Sequence, residues 1–240
     1  MKTIFNLFCI TLLIYATQSC SFNSIKGIGV ITEKEIVISD YNEIDFGGSA
    51  NIVYEQKIDT APYLKIEIDE NLFPLLEIKS ENSILTIKQK NGTNINPTKY
   101  NIITNSTDLS KIKTSGSARI HLKGKLEAKD LSFRLSGSGN VIADDITCHS
   151  LSSKVSGSGD ITLSGRATSI ESSISGSGKV NAMNMYADDV ICSVSGSGNF
   201  WVHADKNLKV NVSGSGNVRY KGNPQIDQSI SGSGKVIKED

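Results

Sequence analysis

From Leu131 onward apolar and polar residues alternate with a period of two, and the alternation is cut at regular intervals by the tetrapeptide Ser-Gly-Ser-Gly. The tetrapeptide starts at Ser136, Ser156, Ser175, Ser195, Ser213 and Ser231, with a Ser-Gly-Ser-Ala variant at Ser115; the steps are 21, 20, 19, 20, 18 and 18 residues. Directly before it stands an apolar column of Leu135, Val155, Ile174, Val194, Val212 and Ile230. Four residues earlier stands a second one, Leu131, Leu151, Ile170, Val190, Leu208 and Ile226. The position between the columns is mixed, whereas the positions alternating with them (Arg134, Lys154, Ser173 and their equivalents) are polar. Period two with one buried side predicts a strand. After the tetrapeptide, Val141, Ile161, Val180, Phe200, Val218 and Val236 open a second alternating run. Each repeat is therefore expected to give strand, bend, strand and loop.

A repeat of this length is too short for a strand, a crossover helix and a return strand, which together need roughly 30 residues. The solution that fits is all-β: a parallel β-helix or β-solenoid of about 18–21 residues per coil, each strand stacking on its counterpart at about 4.8 Å. Such units bury their apolar face only against their neighbours. Stacked bends leave little lateral room, which accounts for glycine and serine there, and the second glycine of each tetrapeptide is the expected bend without space for a Cβ.

The first part of the chain differs. Met1 and Lys2 are followed by an apolar run from Ile4 to Ala16, too short for a permanent bilayer span and typical of an export signal. Ser19 followed by Cys20 resembles the end of a bacterial lipobox, which makes Cys20 the expected acylation site and residues 1–19 a cleaved signal. Residues 20–30 are expected as a tether, 31–108 as an irregular N-terminal β part, and 109–240 as the regular solenoid continuous with it. Asp40 to Ala50 and Asp108 to Ala118 share an Asp, two apolar positions and a closing Gly-Ser-Ala, so the chain begins its coil twice.

Charge narrows the function. With 25 Lys+Arg against 25 Asp+Glu, the chain carries no net charge and has no footprint for nucleic acid. Calcium is not expected, because the residue after the tetrapeptide is lysine in two repeats, Lys179 and Lys235, where a calcium coil needs acidic ligands. No cofactor is expected. His121, His149 and His203 fall at different phases of the repeat, as do the acidic pairs Asp144-Asp145 and Asp188-Asp189, so they form no catalytic constellation. Trp201 lies between the inward Phe200 and Val202 and is expected to point outward, with Arg219 of the next coil at the same phase to stack on it. These two are the candidate surface contact. Cys192 falls in an inward column and Cys148 in the expected loop two coils away, which predicts two free thiols. Lys235, Lys238, Glu239 and Asp240 surround the last strand, and charge at an edge opposes stacking, so a monomer is expected.

The export signal, the Gly-Ser-Ala opening, the segment from Leu64 through Ile87 and the tandem Ser-Gly-Ser-Gly coils together resemble the head GIN domain family of bacterial envelope proteins. The resemblance covers nearly all of the mature chain. It implies a β-helical fold and adhesion, and supplies no catalytic residues. The expected function is thus a non-enzymatic, lipid-anchored protein, held in the outer membrane of a Gram-negative bacterium through Cys20 and offering a surface to protein or glycan. The alternatives are a purely structural envelope component and a polysaccharide-active enzyme.

Overall fold

The computed structural model describes residues 24–240. In chain order the strands are β1 (Ile25–Lys26), β2 (Ile31–Val37), β3 (Glu43–Gly48), β4 (Asn51–Gln56), β5 (Tyr63–Asp69), β6 (Leu76–Glu81), β7 (Ile84–Gln89), β8 (Ile95–Asn96), β9 (Tyr100–Ser106), β10 (Lys111–Gly116), β11 (Arg119–Gly137), β12 (Asn140–Gly157), β13 (Asp160–Gly176), β14 (Lys179–Gly196), β15 (Asn199–Gly214), β16 (Asn217–Lys221), β17 (Gln225–Gly232) and β18 (Lys235–Lys238). They stack as a β-solenoid of about 6 turns. The expected columns face inward: Leu135, Val155, Ile174, Val194 and Val212 are buried before the corner, and Val141, Ile161, Val180, Phe200 and Val218 after it. Burying a side chain of this size stabilises by roughly 1.5–3 kcal/mol, so the two columns supply much of what holds the coils together.

The expected loop is absent from the central coils. β11 to β15 each run through a whole coil, and the place of the loop is taken by a third wall of ladder. Bulges separate it from the wall before. In β12 against β11 the register slips between Leu122 and Lys125 and then holds from Lys125↔Asp145 to Ala128↔Cys148. The third wall has its own buried columns, one with Leu126, Ile146 and Met185 and another with Cys148, Ala167, Ala187 and Ala204. Cys148 therefore sits in the ladder opposite Ala128 and Ala167, not in a loop. Both it and Cys192 are free and buried, and burial pushes the Cys148 thiol up to about 11 and Cys192 further. In the middle column of the first wall, two serines meet in the core and satisfy each other, with Ser153 Oγ and Ser172 Oγ 2.7 Å apart.

The corner follows a different division of labour from the expected one. The first glycine makes the bend: Gly157 has φ +117°, in the region where side chains are strained, and a Cβ there would lie 2.6 Å from the Gly137 carbonyl oxygen. The second glycine, Gly159, has ordinary φ but is buried, and a Cβ would meet the Gly139 oxygen at 2.7 Å. Between them the Ser158 N–H donates to the Gly137 oxygen at 2.9 Å, so the backbone stays paired around the turn.

At the N-terminal end the two coil openings stack directly. β10 lies parallel on β3 from Ile112↔Ile44 to Gly116↔Gly48, and β11 continues on β4 from Arg119↔Asn51. The intervening chain passes to the other side, where β7 pairs with β3 and β9 with β4, and antiparallel β6, β5 and β2 complete that end. Within the segment expected as a tether, β1 pairs with β8. The buried Asp69 fastens this region. Its carboxylate accepts the N–H of Gly29 at 2.7 Å, the N–H of Thr98 at 2.7 Å and the Thr98 hydroxyl at 2.8 Å. Burial alone would raise its pKa, but these donors together with the Lys99 N–H outweigh it and hold the carboxyl below its ordinary range.

Two outcomes follow from these contacts. Gly157→Ala and Gly159→Val each place a Cβ against the backbone of the preceding coil and are expected to cost about 3 kcal/mol or more, whereas Ser158→Ala, an exposed side chain, costs about 0.5 kcal/mol or less. Urea denaturation of the three variants beside the parent measures the difference. A folded-state pKa lowered at Asp69 means that its contribution is complete above the unfolded value of about 3.9 and is lost as pH falls through the folded one. Asp69→Asn is expected to be less stable at pH 7 by on the order of 2 kcal/mol and to lose less stability than the parent between about pH 5 and pH 2, as read by thermal midpoints across that range.

Candidate functional site

On the second wall, Phe200 and Val202 are buried and Trp201 between them is half-exposed, as strand alternation requires. Its rung neighbours are Asn181 and Arg219. Arg219 reaches the adjacent rung but commits its guanidinium to the carboxylate of Glu239, Nη1 to Oε1 at 2.6 Å.

A second aromatic feature lies round the corner on the third wall. The register slips between Ala182 and Tyr186, because β14 carries Met183, Asn184 and Met185 where β15 passes straight from Val202 to His203. The bulge sets Tyr186 opposite His203. The outward ladder then reads Arg166, Tyr186, His203 and Lys221 on successive coils. Arg166 stands over the Tyr186 ring, 5.7 Å from its centroid, and Tyr186 and His203 lie with centroids 4.4 Å apart and planes tilted by 49°. An exposed cation–π contact contributes about 0.5–1 kcal/mol and, with the stack, orients the tyrosine. Trp201 stands two residues before His203 on the same strand, and Tyr186 is 43% exposed.

The rim of this patch is charged but balanced. His203 Nε2 lies 3.3 Å from Asp205, Lys206 pairs with Asp188 at 2.8 Å, and Asn207 donates to Asp189 at 2.6 Å. The acidic pair Asp188-Asp189 is therefore held by ordinary surface partners. Likewise Asp144 accepts from His121 at 2.8 Å. Among the described residues no group of three or more His, Cys, Asp or Glu is placed to hold a metal.

Open clefts also mark the walls. One, of about 450 Å³, follows the first wall at the corner and is lined by Lys154, Ser173, Ser193, Asn211 and the row Ser175, Ser195 and Ser213. Another, of about 620 Å³, lies against the third wall beside Glu127, Thr147, Cys148 and His149. With its thiol pushed up by burial, Cys148 is a poor nucleophile there. Cys20 lies outside the described residues.

Tyr186, His203 and Arg166 are functional candidates that phase counting from the tetrapeptide misses. The signal that finds them is the third-wall alanine column: each directly precedes Ala187, Ala204 or Ala167.

A family model described as "Putative auto-transporter adhesin, head GIN domain" matches residues 40–224. A "putative lipid binding protein" from Parabacteroides distasonis ATCC 8503 is similar in structure at TM-score 0.79 and 35% identity, over 91% of this chain and 100% of that one. A "putative adhesin" from Bacteroides fragilis NCTC 9343 is similar at TM-score 0.86 and 27% identity, over 90% and 100% of the two chains. A "putative adhesin" from Parabacteroides distasonis ATCC 8503 is similar at 0.74 and 32% identity, over 90% and 100%. No curated protein matches the chain. Among the described residues no helix is long and apolar enough to cross a membrane. The chain belongs to the head GIN domain family.

Proposed function

We propose that this head GIN domain protein is a non-enzymatic adhesin of the cell envelope, anchored by lipid at Cys20 in the outer membrane, with the solenoid as a rigid support for a binding patch. The observation that carries the reading is the exposed Tyr186–His203 ring pair beside Arg166 on the third wall, with Trp201 outward-facing two residues before His203 on the same strand. Exposed rings with balanced polar neighbours suit a ligand that has apolar faces and many hydroxyl or amide groups. A glycan fits this description, as does a polar protein surface. The corner holds no nucleophile paired with a base, which favours binding without turnover.

Retention of a lipid inside the coils is a less favourable reading. The inner columns are filled by side chains from Ile120 to Val218, and the clefts are open to solvent. The lipid in this account is the one carried by Cys20. An acyl chain contributes about 0.8 kcal/mol per buried CH₂, so a multiply acylated cysteine holds the protein firmly at a membrane.

On a glycan array and on immobilised host glycoproteins, the soluble ectodomain is expected to bind without degrading its ligand. Trp201→Ala combined with Tyr186→Ala should weaken that binding about tenfold or more while the thermal midpoint moves by only a few degrees. Unchanged binding by the double variant would remove the patch from the account, and release of shortened glycan would replace an adhesin with an enzyme. For the anchor, Cys20→Ser is expected to shift the protein from the membrane fraction to the soluble one, and metabolic labelling with a palmitate analogue should mark the parent alone. A parent without label would overturn lipidation.

A further inference from the structure

We infer that the N-terminal end of the solenoid rests on the lipid bilayer through a fixed apolar strap, residues 25–31. The assignment rests on the anchored reading of Cys20 for its direction, and on the strap's own structure for its chemistry.

The strap is held along its backbone. The Ile25 N–H donates to the Asn94 carbonyl at 2.7 Å, and the Gly27 N–H donates to that of Asn96 at 3.0 Å. Asn71 clasps the segment from the other side, its amide donating to the Lys26 carbonyl at 2.9 Å, and the Glu70 N–H donates to the Val30 carbonyl at 2.8 Å. Gly27 packs so closely on Asp69 that a Cβ would lie 2.3 Å from the carboxylate. A segment fixed at this many points is not a free spacer. Yet its side chains turn away from the protein: Ile25 is 43% exposed, Ile28 61%, Val30 54% and Ile31 39%.

Two further residues place the apolar surface at one end of the stack. β2 has β5 as its ladder partner and forms the outermost strand there, with Val37 99% exposed at its far end, and Ile58 in the nearby loop is 74% exposed. Half of the large exposed hydrophobic side chains among the described residues thus belong to residues 25–58, while the outward faces of the coils are mostly polar. Apolar side chains clustered on a rigid surface mark an interface, because each gains by leaving water.

The length of chain above the strap selects the occupant. Ile25 stands five residue steps after Cys20, and a chain spans at most about 3.6 Å per residue, so Ile25 lies within about 18 Å of an acylated Cys20. That tether keeps the strap close beside the bilayer, whose apolar interior lies within reach of its exposed side chains. Ile25, Ile28, Val30 and Ile31 then enter the interface, and Lys26 stays at headgroup level. The acylated Cys20 holds the protein at the membrane, and the strap adds buried apolar area there and fixes which end of the molecule faces the membrane.

The test uses the full acylated protein in vesicles of phosphatidylethanolamine and phosphatidylglycerol. A polarity-sensitive fluorophore is attached at Ile28→Cys and, for comparison, at Thr162→Cys on an outward coil position; Cys148 and Cys192 are buried. The label at 28 is expected to shift to the blue and to be quenched by aqueous iodide about tenfold less than the label at 162. Val30→Asp with Ile31→Asp should restore quenching while the protein stays vesicle-bound through its acyl groups. Equal quenching at 28 and 162 on acylated protein overturns the strap and leaves the anchor standing. Shielding at 28 in vesicle-free solution also overturns it, in favour of a protein partner or a second copy. If labelling finds no lipid on Cys20, the anchor reading fails by itself; the unacylated chain then decides for the strap if it partitions into the same vesicles in a manner that Ile28→Asp abolishes, and against it if it does not.

Discussion

The structure depends on one close approach, repeated at every level: the glycine backbone of one coil lying against the carbonyl of the glycine below. At Gly157 the chain turns with φ +117° directly over the Gly137 oxygen, and at Gly159 it passes the Gly139 oxygen with no space for a methyl group. Only residues without a Cβ allow both, and only if each corner stacks on the last. The apolar columns then fall into place on either side, since a slip of one residue would turn every inward side chain out. Serine N–H groups close the turn by donating to the same carbonyls, so the corner is paired as fully as the walls it joins.

The corner also explains why variation is confined to the opposite side of the coil. Coils differ in length at the bulges that flank the third wall, before it between Leu122 and Lys125, Ala143 and Ile146, and Ala182 and Tyr186, and after it between Ala187 and Asp189. Registers recover after each, because the inward alanines and the first-wall columns realign them. A site can be built there at little cost to the stack. The one that results, Tyr186 against His203 with Trp201 beside them, exists because β14 inserts residues that β15 lacks.

Much of this was legible in the residues. The tetrapeptide period revealed the solenoid, the columns at Leu131 and Leu135 and their equivalents revealed the first wall, and the match of Asp40 to Ala50 with Asp108 to Ala118 anticipated the stacking of β10 on β3. The third wall was not legible, because its residues stand at unequal distances from the tetrapeptide and the bulges break a period of two. For the same reason Tyr186 and His203, neighbours on the ladder, stand at different distances from the tetrapeptides before them. Arg219 was read correctly as the rung neighbour of Trp201, but its choice of Glu239 depends on the path of the last strand. Asp69 gave no signal at all: its donors come from residues 29, 98 and 99, which only the folded chain brings together.

Native-state hydrogen exchange on the ectodomain tests the corner most directly. The N–H groups of Ser158, Ser177, Ser197 and Ser215 each donate to the glycine carbonyl of the preceding coil at 2.9 Å. They are expected to exchange as slowly as the buried ladder amides next to them, such as Val155 and Ile174, and to open in the same cooperative unit. Corner amides that exchange as fast as those of the exposed segment Asp59 to Ala61, while the walls stay protected, would show that the glycines do not hold the coils in register and would contradict the account.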